Sequence, residues 1–352
     1  MSLPSTMQWF DAHLDLAYLA ECGRDMHVEP EESRGRHQPA TITLPSLRAG
    51  GVRACLGTIF TEAIQDPKAP DAETGSFAYA QGDARGAWVA GMRQLKLYHA
   101  WRDAGLIRLM GPRGQNAGAV SSDEHGPILL GVLMECADPI EAPEQLVTWV
   151  EGGVVAIGMA WWHHSRYAGG NGTPGHGLTQ LGKQLVPRID ELGVVHDLSH
   201  LSQKSTEQLL SMTHAAVIAS HSNSRALLEP DNERHLADET IREIGRRGGV
   251  IGLNLVRNFI RTGLDRKDPN DRPSVADAIN HVEHVCEIMG HRRGVGMGSD
   301  MDGGITGHDL PRGIDRPRDF EKLGEELRNR GWSDAEIEGF AWGNWSRFWG
   351  LS

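Results

Sequence analysis

Basic residues are in the minority in this chain of 352 residues, with 35 lysines and arginines against 47 aspartates and glutamates and a formal net charge of −12. This acidic balance argues against nucleic acid or an anionic membrane as a partner bound through a general basic field. Long apolar runs are also lacking, because no stretch approaches the length of about eighteen residues that a membrane span needs. The first residues contain no cationic start followed by an apolar run, so we expect no signal peptide and a cytoplasmic protein.

Cysteine is scarce, and two catalytic motifs are absent. No GxSxG elbow surrounds Ser199, Ser220 or Ser222, which disfavours a serine hydrolase. No GxGxxG follows the first candidate strand, which disfavours a Rossmann dehydrogenase. The cysteines form no CxxC pair, so we expect reduced thiols rather than a disulfide framework or a thiolate zinc site. They lie far apart, at Cys22, Cys55, Cys136 and Cys286.

Short apolar runs recur along the chain and alternate with helical patterns. Repeated strand–helix units predict parallel strands joined by right-handed crossovers. Eight such units predict an α/β protein with a closed (β/α)₈ barrel, the TIM barrel, formed by residues 1–352 as a single domain. The candidate strands are Trp9–His13, Val52–Phe60, Ile128–Met134, Val154–Ala160, Val194–Leu198, Ala216–Ser220, Val250–Asn254 and Gly294–Gly298.

The segments between the strands contain helix and loop signals. Residues 274–290 place apolar side chains three or four positions apart, which predicts one buried face of a helix. Ser333 and Glu336 have the spacing of a capping box, and Asp238 is placed to cap another helix. Stretches rich in glycine and proline predict loops rather than domain boundaries, at 110–127, 163–177 and 299–317.

Histidines and acidic residues follow the candidate strands at the points where the strands end. His13 and Asp15 close the first strand as His-x-Asp, and alternate residues of an extended chain point to the same side. Barrel enzymes carry their chemistry at this end of the strands, so we expect these side chains to meet on one rim. The later members each follow an apolar run: Glu135, His200 in HDLSH, His221 in SHS and Asp300 in GSDMDG.

Each of these residues alone has a simpler interpretation. A single histidine near a strand end is usually a hydrogen-bonded structural residue. Asp300 and Asp302 have the sequence context of turn residues, because Gly303 and Gly304 follow them closely. The joint pattern favours a metal site, because chance would scatter such residues over helices and both ends of the barrel.

The type and number of ligands predict the metals. Imidazole and carboxylate groups suit zinc, with manganese, cobalt and iron as alternatives. Three histidines and two acids exceed what one catalytic zinc usually takes, so we predict two Zn²⁺ ions per chain bridged by one carboxylate, Glu135. The predicted metal ligands are His13, Asp15, Glu135, His200 and His221.

From about residue 9 to about residue 349, these motifs resemble the membrane dipeptidase (renal dipeptidase) family of zinc peptidases, in the amidohydrolase superfamily. HLD resembles its His-x-Asp metal pair, Glu135 its bridging glutamate, and DLSH and SHS its later metal histidines. NERHLADETIREIGRRGGVIGLN resembles the segment that binds the substrate, which implies that Arg234 holds the C-terminal carboxylate. GSDMDG implies that Asp300 is the catalytic acid and base. GNWSRF, with Asn344 and Arg347, resembles a packing feature near the family's C-terminus.

Two departures from the family pattern concern the substrate pocket. The family usually has a histidine after its fourth strand that contacts the scissile carbonyl, and here Trp161 stands at that position. His163 or His164 in the adjacent loop is a candidate replacement. The second departure is His235, where the family commonly has asparagine. The glycine-rich loop 163–177 is a candidate lid over the substrate, with a plain exposed loop as the alternative.

The resemblance implies a homodimeric metallodipeptidase that hydrolyses the peptide bond of a small dipeptide through a hydroxide bridging two metals. Another amidohydrolase reaction, on an N-acyl amino acid or another carboxylate-bearing amide, ester or lactone, or on a phosphoester, needs the same metals with different pocket contacts. A metal-binding relative without turnover is the second alternative, and the full ligand set with Asp300 argues against it. For Arg234 the simpler interpretation is a surface ion pair with Glu233 or Asp238.

Overall fold

A computed structural model describes residues 7–64, 75–115, 118–121 and 123–351. Every one of the eight predicted strands is present, with ends shifted by a few residues. In chain order they are β1 (Trp9–Leu14), β2 (Val52–Phe60), β3 (Ile128–Glu135), β4 (Val154–Gly158), β5 (Val195–Asp197), β6 (Val217–Ile218), β7 (Ile251–Leu253) and β8 (Val295–Met297). Three shorter strands were not expected: Glu62–Ile64 and Ala78–Ala80, which pair with each other, and Ile107–Leu109, which pairs with β3.

The eight strands are parallel and form a barrel. They are hydrogen-bonded in the order β7-β8-β1-β2-β3-β4-β5-β6. A parallel bridge between Ala219 and Ile251 joins the two ends of this order. There the Ala219 N–H donates to the Val250 carbonyl at 3.1 Å, and the Gly252 N–H donates to the Ala219 carbonyl at 2.8 Å. The prediction of a (β/α)₈ barrel is therefore confirmed.

Helices separate the strands, as the alternating pattern predicted. They are α1 (Leu16–Glu21), α2 (Leu44–Ala49), α3 (Ala84–Asp103), α4 (Leu146–Glu151), α5 (Gln180–Glu191), α6 (Gln203–Met212), α7 (Asp238–Arg246), α8 (Arg257–Ile260), α9 (Val275–Met289), α10 (Glu321–Asn329), α11 (Asp334–Glu338) and α12 (Asn344–Trp349). Among the described residues, no helix is long and apolar enough to cross a membrane. All four cysteines are free.

The predicted helix over 274–290 is α9, and the predicted capping box of Ser333 and Glu336 begins α11. The prediction for Asp238 was wrong by one position, because Ala237 is the N-cap and Asp238 is the first residue of α7. The Asp238 carboxylate instead accepts a hydrogen bond from His284 Nε2 at 2.8 Å. In the first turn it also lies where the helix dipole favours a negative charge.

The C-terminal helix α12 closes the bottom of the barrel. Trp345 is fully buried, stacks on Phe10 of β1 at 5.8 Å, and donates from Nε1 to the Met297 carbonyl of β8 at 2.9 Å. Asn344 donates to the Val295 carbonyl at 2.7 Å, and Arg347 Nη1 donates to Asn344 Oδ1 at 3.1 Å. Phe10 and Val295 lie at the N-terminal ends of β1 and β8, so the GNWSRF motif covers this side of the barrel and leaves the opposite rim for chemistry.

Candidate metal centre and substrate pocket

Five strands deliver the polar side chains of the upper rim. His13 lies within β1, Glu135 is the last residue of β3, and the others follow their strands within three residues. These positions put every one of these side chains at the C-terminal end of its strand, and all six are buried. The group comprises His13, Asp15, Glu135, His200, His221 and Asp300.

The Glu135 carboxylate is the centre of this group. Its Oε2 lies 3.4 Å from His13 Nε2. Its Oε1 lies 3.1 Å from His200 Nε2 and 3.5 Å from His221 Nε2. On the far side, His13 Nε2 is 3.8 Å from an oxygen of Asp15. The two oxygens of one carboxylate thus face two different sets of ligand atoms, as a bridging ligand requires.

Hydrogen bonds fix which ring nitrogen of two histidines faces the centre. His200 Nδ1 contacts Asn171 Oδ1 at 3.0 Å, and His221 Nδ1 contacts Ser220 Oγ at 2.7 Å. Because the amide oxygen of Asn171 only accepts, His200 Nδ1 carries the hydrogen. Ser220 Oγ donates its own hydrogen to Asp197 at 2.5 Å, so it accepts from His221. Asn171 and Ser220 thus orient the two imidazole rings, as hydrogen-bond partners of metal-bound histidines do in other proteins.

These tautomers leave lone pairs on the inner nitrogens. His200 Nε2 and His221 Nε2 are 2.9 Å apart, and with hydrogens on both Nδ1 atoms neither can donate to the other. Two facing lone pairs repel unless a cation lies beside them. Ligand atoms of His13, Glu135 and His221 also lie within 4.8 Å of one another, as do those of His13, Asp15 and Asp300. The donor set therefore fits a metal cofactor.

Charge and burial set the protonation of the histidines in the absence of metal. Burial lowers the pKa of His13, but the surrounding carboxylates, Glu135 first, outweigh burial and raise it to about 10. Burial lowers the pKa of His200 to about 4, with the charge of Arg234 adding to the effect. Burial likewise holds the pKa of His221 well below its usual value. His200 and His221 are therefore neutral and ready to bind a cation at neutral pH.

Asp300 lies beside the centre with its carboxylate held in place. Asn254 Nδ2 donates to Asp300 Oδ2 at 2.9 Å, and Asp300 Oδ1 is 4.0 Å from His13 Nε2. Burial raises the pKa of Asp300 to about 7, against the lowering effect of the nearby cations. A side chain at residue 303 would meet Asp300 Oδ1 at 2.0 Å, so only Gly303 fits there. Asp300 is thus a preoriented carboxyl group that can exchange a proton near neutral pH.

Arg234 is a buried cation with neutral partners. It is 3% exposed and donates to Ser222 Oγ at 3.1 Å and to the His221 carbonyl at 2.9 Å. Its guanidinium stacks on Phe259 at 4.9 Å. Among the described residues, no carboxylate lies within 4.0 Å of it, because Glu233 accepts from Gln203 and Asp238 pairs with His284. A buried guanidinium without a carboxylate partner is costly, so the position suits an anionic ligand.

Comparison with known proteins identifies the family. A family model described as membrane dipeptidase, peptidase family M19, matches residues 2–351. The chain belongs to this family. An uncharacterised dipeptidase of Schizosaccharomyces pombe is 32% identical over 179 residues, which are 51% of this chain and 40% of that protein. Dipeptidase 3 of Mus musculus is 30% identical over 168 residues, which are 48% of this chain and 31% of that protein. The matched segments thus span less than half of either relative.

Solved structures share the fold over almost the whole chain. Dipeptidase AC, a metallopeptidase of family M19, superposes with a TM-score of 0.78 at 22% identity, covering 99% of both chains. A metallopeptidase from Rhodobacter sphaeroides, liganded with a phosphinate mimic of the dipeptide L-Ala-D-Ala, superposes with a TM-score of 0.78 at 22% identity. It covers 98% of this chain and 99% of the other. These likenesses establish a common barrel.

The pocket of this family member opens above the candidate metal ligands. It has a volume of about 410 Å³, and aromatic side chains form much of its wall. Trp161 is in that wall, with its ring 6.1 Å from the His200 ring and 5.1 Å from the Phe60 ring. A larger cavity of about 690 Å³ lies at the opposite end of the barrel, away from every residue of the metal centre. The chemistry therefore belongs to the smaller cavity, whose lining includes Asp15, Glu135, His200, Arg234 and Asp300.

The two candidate replacements for the family's histidine lie outside this pocket. His163 and His164 line a separate small hollow, and His164 is exposed with its Nε2 3.4 Å from Gln81 Nε2. Their loop is also anchored to the rim, because Gly170 bridges to Leu201. Trp161 therefore lies in the pocket wall beside His200, and both histidines lie outside the pocket.

His235, the second departure from the family pattern, is buried at 1% exposure behind Phe259. Its ring lies 5.0 Å from the Phe259 ring in an edge-on arrangement. Burial and the neighbouring Arg234 hold the pKa of His235 well below its usual value, so the ring is neutral. It therefore supports the aromatic residue on which Arg234 stacks.

Residues that hold the ligands were missed by sequence reasoning. Asn171, Asp197 and Asn254 position the site through hydrogen bonds, and they come from three separate segments. Asp302 was considered only as a turn residue. It is fully buried, pairs with Arg24, and accepts from the Thr41 N–H at 2.8 Å. It therefore ties the β8 loop to the segment after α1, and no signal in a single sequence marks that pairing.

Proposed function

We propose that this chain is a metal-dependent dipeptidase that requires a free carboxylate at the C-terminus of its substrate. Family membership supports the reaction class. The observation that carries the substrate class is the buried guanidinium of Arg234, which has only neutral partners and lines the same pocket as the metal ligands and Asp300. A substrate carboxylate would supply the missing counter-charge through bidentate hydrogen bonds.

We propose that the cofactor is two Zn²⁺ ions per chain. His13 and Asp15 would hold one ion, His200 and His221 the other, and Glu135 would contribute to both. The two oxygens of Glu135 face these two sets of ligand atoms, which supports this division. When bound, such a pair activates water as a nucleophile and polarises the scissile carbonyl.

The chain's own groups bind the substrate and move a proton. Arg234 would anchor the C-terminal carboxylate and so fix which amide lies over the metal centre. Asp300 would accept a proton from the attacking water and return it to the nitrogen of the leaving amine, because a carboxyl group whose pKa is near neutrality can do both. Trp161 closes the pocket beside His200 and keeps bulk water from this side of the site.

The proposal is tested by metal content and hydrolysis measured together. Protein reconstituted with zinc is analysed for bound metal, and its hydrolysis of L-Xaa-D-Xaa and L-Xaa-L-Xaa dipeptides is followed before and after chelation. The D-series is included because the relative from Rhodobacter sphaeroides holds a mimic of L-Ala-D-Ala. We expect about two ions per chain and chelator-sensitive cleavage. Bound metal without cleavage of any dipeptide would contradict the proposal.

A second candidate is the hydrolysis of N-acyl amino acids. It requires the same carboxylate anchor at Arg234 and no recognition of a substrate amine. The aromatic wall formed by Phe60 and Trp161 favours it, since such a wall suits an apolar acyl group. Adding N-acyl amino acids to the same substrate panel separates the two candidate functions. A dipeptidase should prefer substrates with a free N-terminal amine.

The assembly and the compartment belong to the same proposal. We infer a homodimer from family membership, and light scattering on the purified protein would test it. The four free cysteines support a reducing compartment such as the cytoplasm. A monomer in solution would contradict the first inference without affecting the proposed reaction.

A further inference from the structure

The loop that follows β7 forms one wall of the substrate pocket, and a buried arginine fixes its path. Phe259 and Arg266 of this loop both line the pocket. Arg257 is 4% exposed and donates to the backbone carbonyls of Arg266 and Asp268, each at 2.8 Å. These bonds hold the backbone of residue 266 at the pocket edge, so the position of its side chain does not depend on an unanchored loop.

The arginines of this loop, residues 257–272, differ in their partners. Arg257 pairs with Asp309 at 3.1 Å. Arg261 pairs with Asp271 at 3.0 Å, and Arg272 pairs with Asp315 at 2.8 Å. The side chain of Arg266 has no carboxylate within 4.0 Å among the described residues, although aspartates are abundant nearby. In a chain of net charge −12, an unpaired arginine lining a pocket is a cation available to a ligand.

Arg234 and Arg266 lie on the same wall of the pocket. The Arg234 guanidinium stacks on Phe259 at 4.9 Å, and Phe259 lies in the same anchored loop as Arg266. The other wall is aromatic, with Phe60 and Trp161 in contact at 5.1 Å between ring centroids. A dipeptide whose C-terminal carboxylate binds Arg234 therefore places its C-terminal residue on the side of Arg266.

We propose that Arg266 is a specificity residue that binds a second carboxylate, carried by the side chain of the substrate's C-terminal residue. The preferred substrates are then dipeptides that end in aspartate or glutamate. Arg266 forms a charge-assisted hydrogen bond to the side-chain carboxylate while Arg234 holds the main-chain one. This inference rests on the proposed dipeptidase function and names its substrate class.

The test compares pairs of substrates that differ only in this charge. Values of kcat/KM are measured for Ala-Asp against Ala-Asn and for Ala-Glu against Ala-Gln, with L and D forms of the second residue. We expect kcat/KM for the acid to exceed that for its amide by about two- to fivefold, since a charge pair with an exposed arginine contributes modestly. Salt should reduce this ratio, because the pair is open to screening. Arg266→Ala should bring the ratio close to one, and Arg266→Glu should reverse it.

A neighbouring cation supplies the control. Lys267 is exposed on the same loop and is not part of the pocket lining, so Lys267→Ala removes one positive charge without removing the proposed contact. The control should keep the wild-type ratio, and Arg266→Lys should keep part of it. Two results would overturn this inference and leave the proposed function intact. In the first, the enzyme hydrolyses neutral dipeptides but its kcat/KM is the same for the acidic dipeptide and its amide. In the second, Arg266→Glu leaves the ratio of these two values unchanged. Failure to hydrolyse any dipeptide would overturn the proposed function and this inference with it.

A binding measurement gives a readout without turnover. In the Asp300→Asn background, calorimetry should find that the acidic dipeptide binds about two- to fivefold more tightly than its amide. Adding Arg266→Ala should remove that difference, whereas adding Lys267→Ala should keep it. Equal affinities for acid and amide before Arg266 is changed would overturn the inference.

Discussion

The floor and the mouth of the pocket are built differently. The floor consists of the strand-end residues His13, Asp15, Glu135, His200, His221 and Asp300, all of them buried. The mouth includes Trp162, which is 46% exposed, and Arg266 of the loop 257–272, which is exposed. Floor side chains have partners that fix their orientation, whereas the mouth presents unpaired faces to solvent. We infer that the floor determines the reaction and the mouth determines which substrate is accepted.

The largest expected effect is on proton transfer at the floor. Asp300→Asn keeps the size of the side chain and removes its ability to accept a proton. We expect kcat to fall by about 10² to 10⁴ fold, with metal content unchanged, because Asp300 is not among the proposed ligands. Hydrolysis assays on a neutral dipeptide would measure kcat, and elemental analysis would measure the metal content. A kcat within tenfold of the wild type would assign the proton transfer to another group.

The second effect concerns the stability of the loop after β8, which carries both Asp302 and the floor residue Asp300. Asp302→Asn leaves the buried Arg24 guanidinium without its counter-charge, so we expect the free energy of unfolding to fall by about 3–5 kcal/mol. Asp334→Asn, which breaks an exposed pair with Arg328, is the control and should cost less than about 1 kcal/mol. Urea unfolding of the metal-free proteins measures both. Equal losses in the two variants would contradict a structural role for Asp302.

The third effect lies between floor and mouth. Arg234→Lys keeps a positive charge but loses the planar, bidentate geometry. We expect kcat/KM for dipeptides to fall by about 30- to 100-fold, since a charged hydrogen-bonded contact is lost. The slow hydrolysis of C-terminally amidated dipeptides should not change. Since Arg234 also donates to the His221 carbonyl, metal content must be shown to be intact. An equal fall for acid and amide substrates would place Arg234 in a structural role.

The fourth effect follows from the pKa of His13. Its pKa of about 10 lies above the ordinary value, so at pH 7 to 9 the metal-free ring is protonated while His200, with a pKa of about 4, is neutral. A metal must displace that proton, so its affinity should rise by about tenfold per pH unit in this window and level off above pH 10. Calorimetry in buffers of different ionisation enthalpy should find at least one proton released per chain, and a second one where the bound water ionises. No release would mean that His13 is neutral before metal binds.

The floor could be predicted from the sequence, because parallel strands end on one rim and the ligands follow apolar runs. His13, Glu135 and His221 needed only that rule. The residues that hydrogen-bond to these side chains could not be predicted. Asn171, for example, contacts His200 from a loop 29 positions away in sequence. Arg24 and Asp302 are separated by 278 positions. Contacts of this kind depend on how loops pack after the barrel has formed, and no local pattern encodes them.

The mouth should yield the smallest effects, and Trp162 tests this most directly. Its indole packs over Gly172, where an added Cβ would lie 2.5 Å from Trp162 Nε1, and Trp162 also lines the pocket. Because most contact residues contribute little when truncated, we expect Trp162→Ala to raise KM by less than about fivefold and to leave kcat unchanged. Met212→Ala, another exposed apolar residue outside the pocket lining, is the control. A large fall in kcat for Trp162→Ala would mean that the mouth also positions the reacting groups, and the division between floor and mouth would then be wrong.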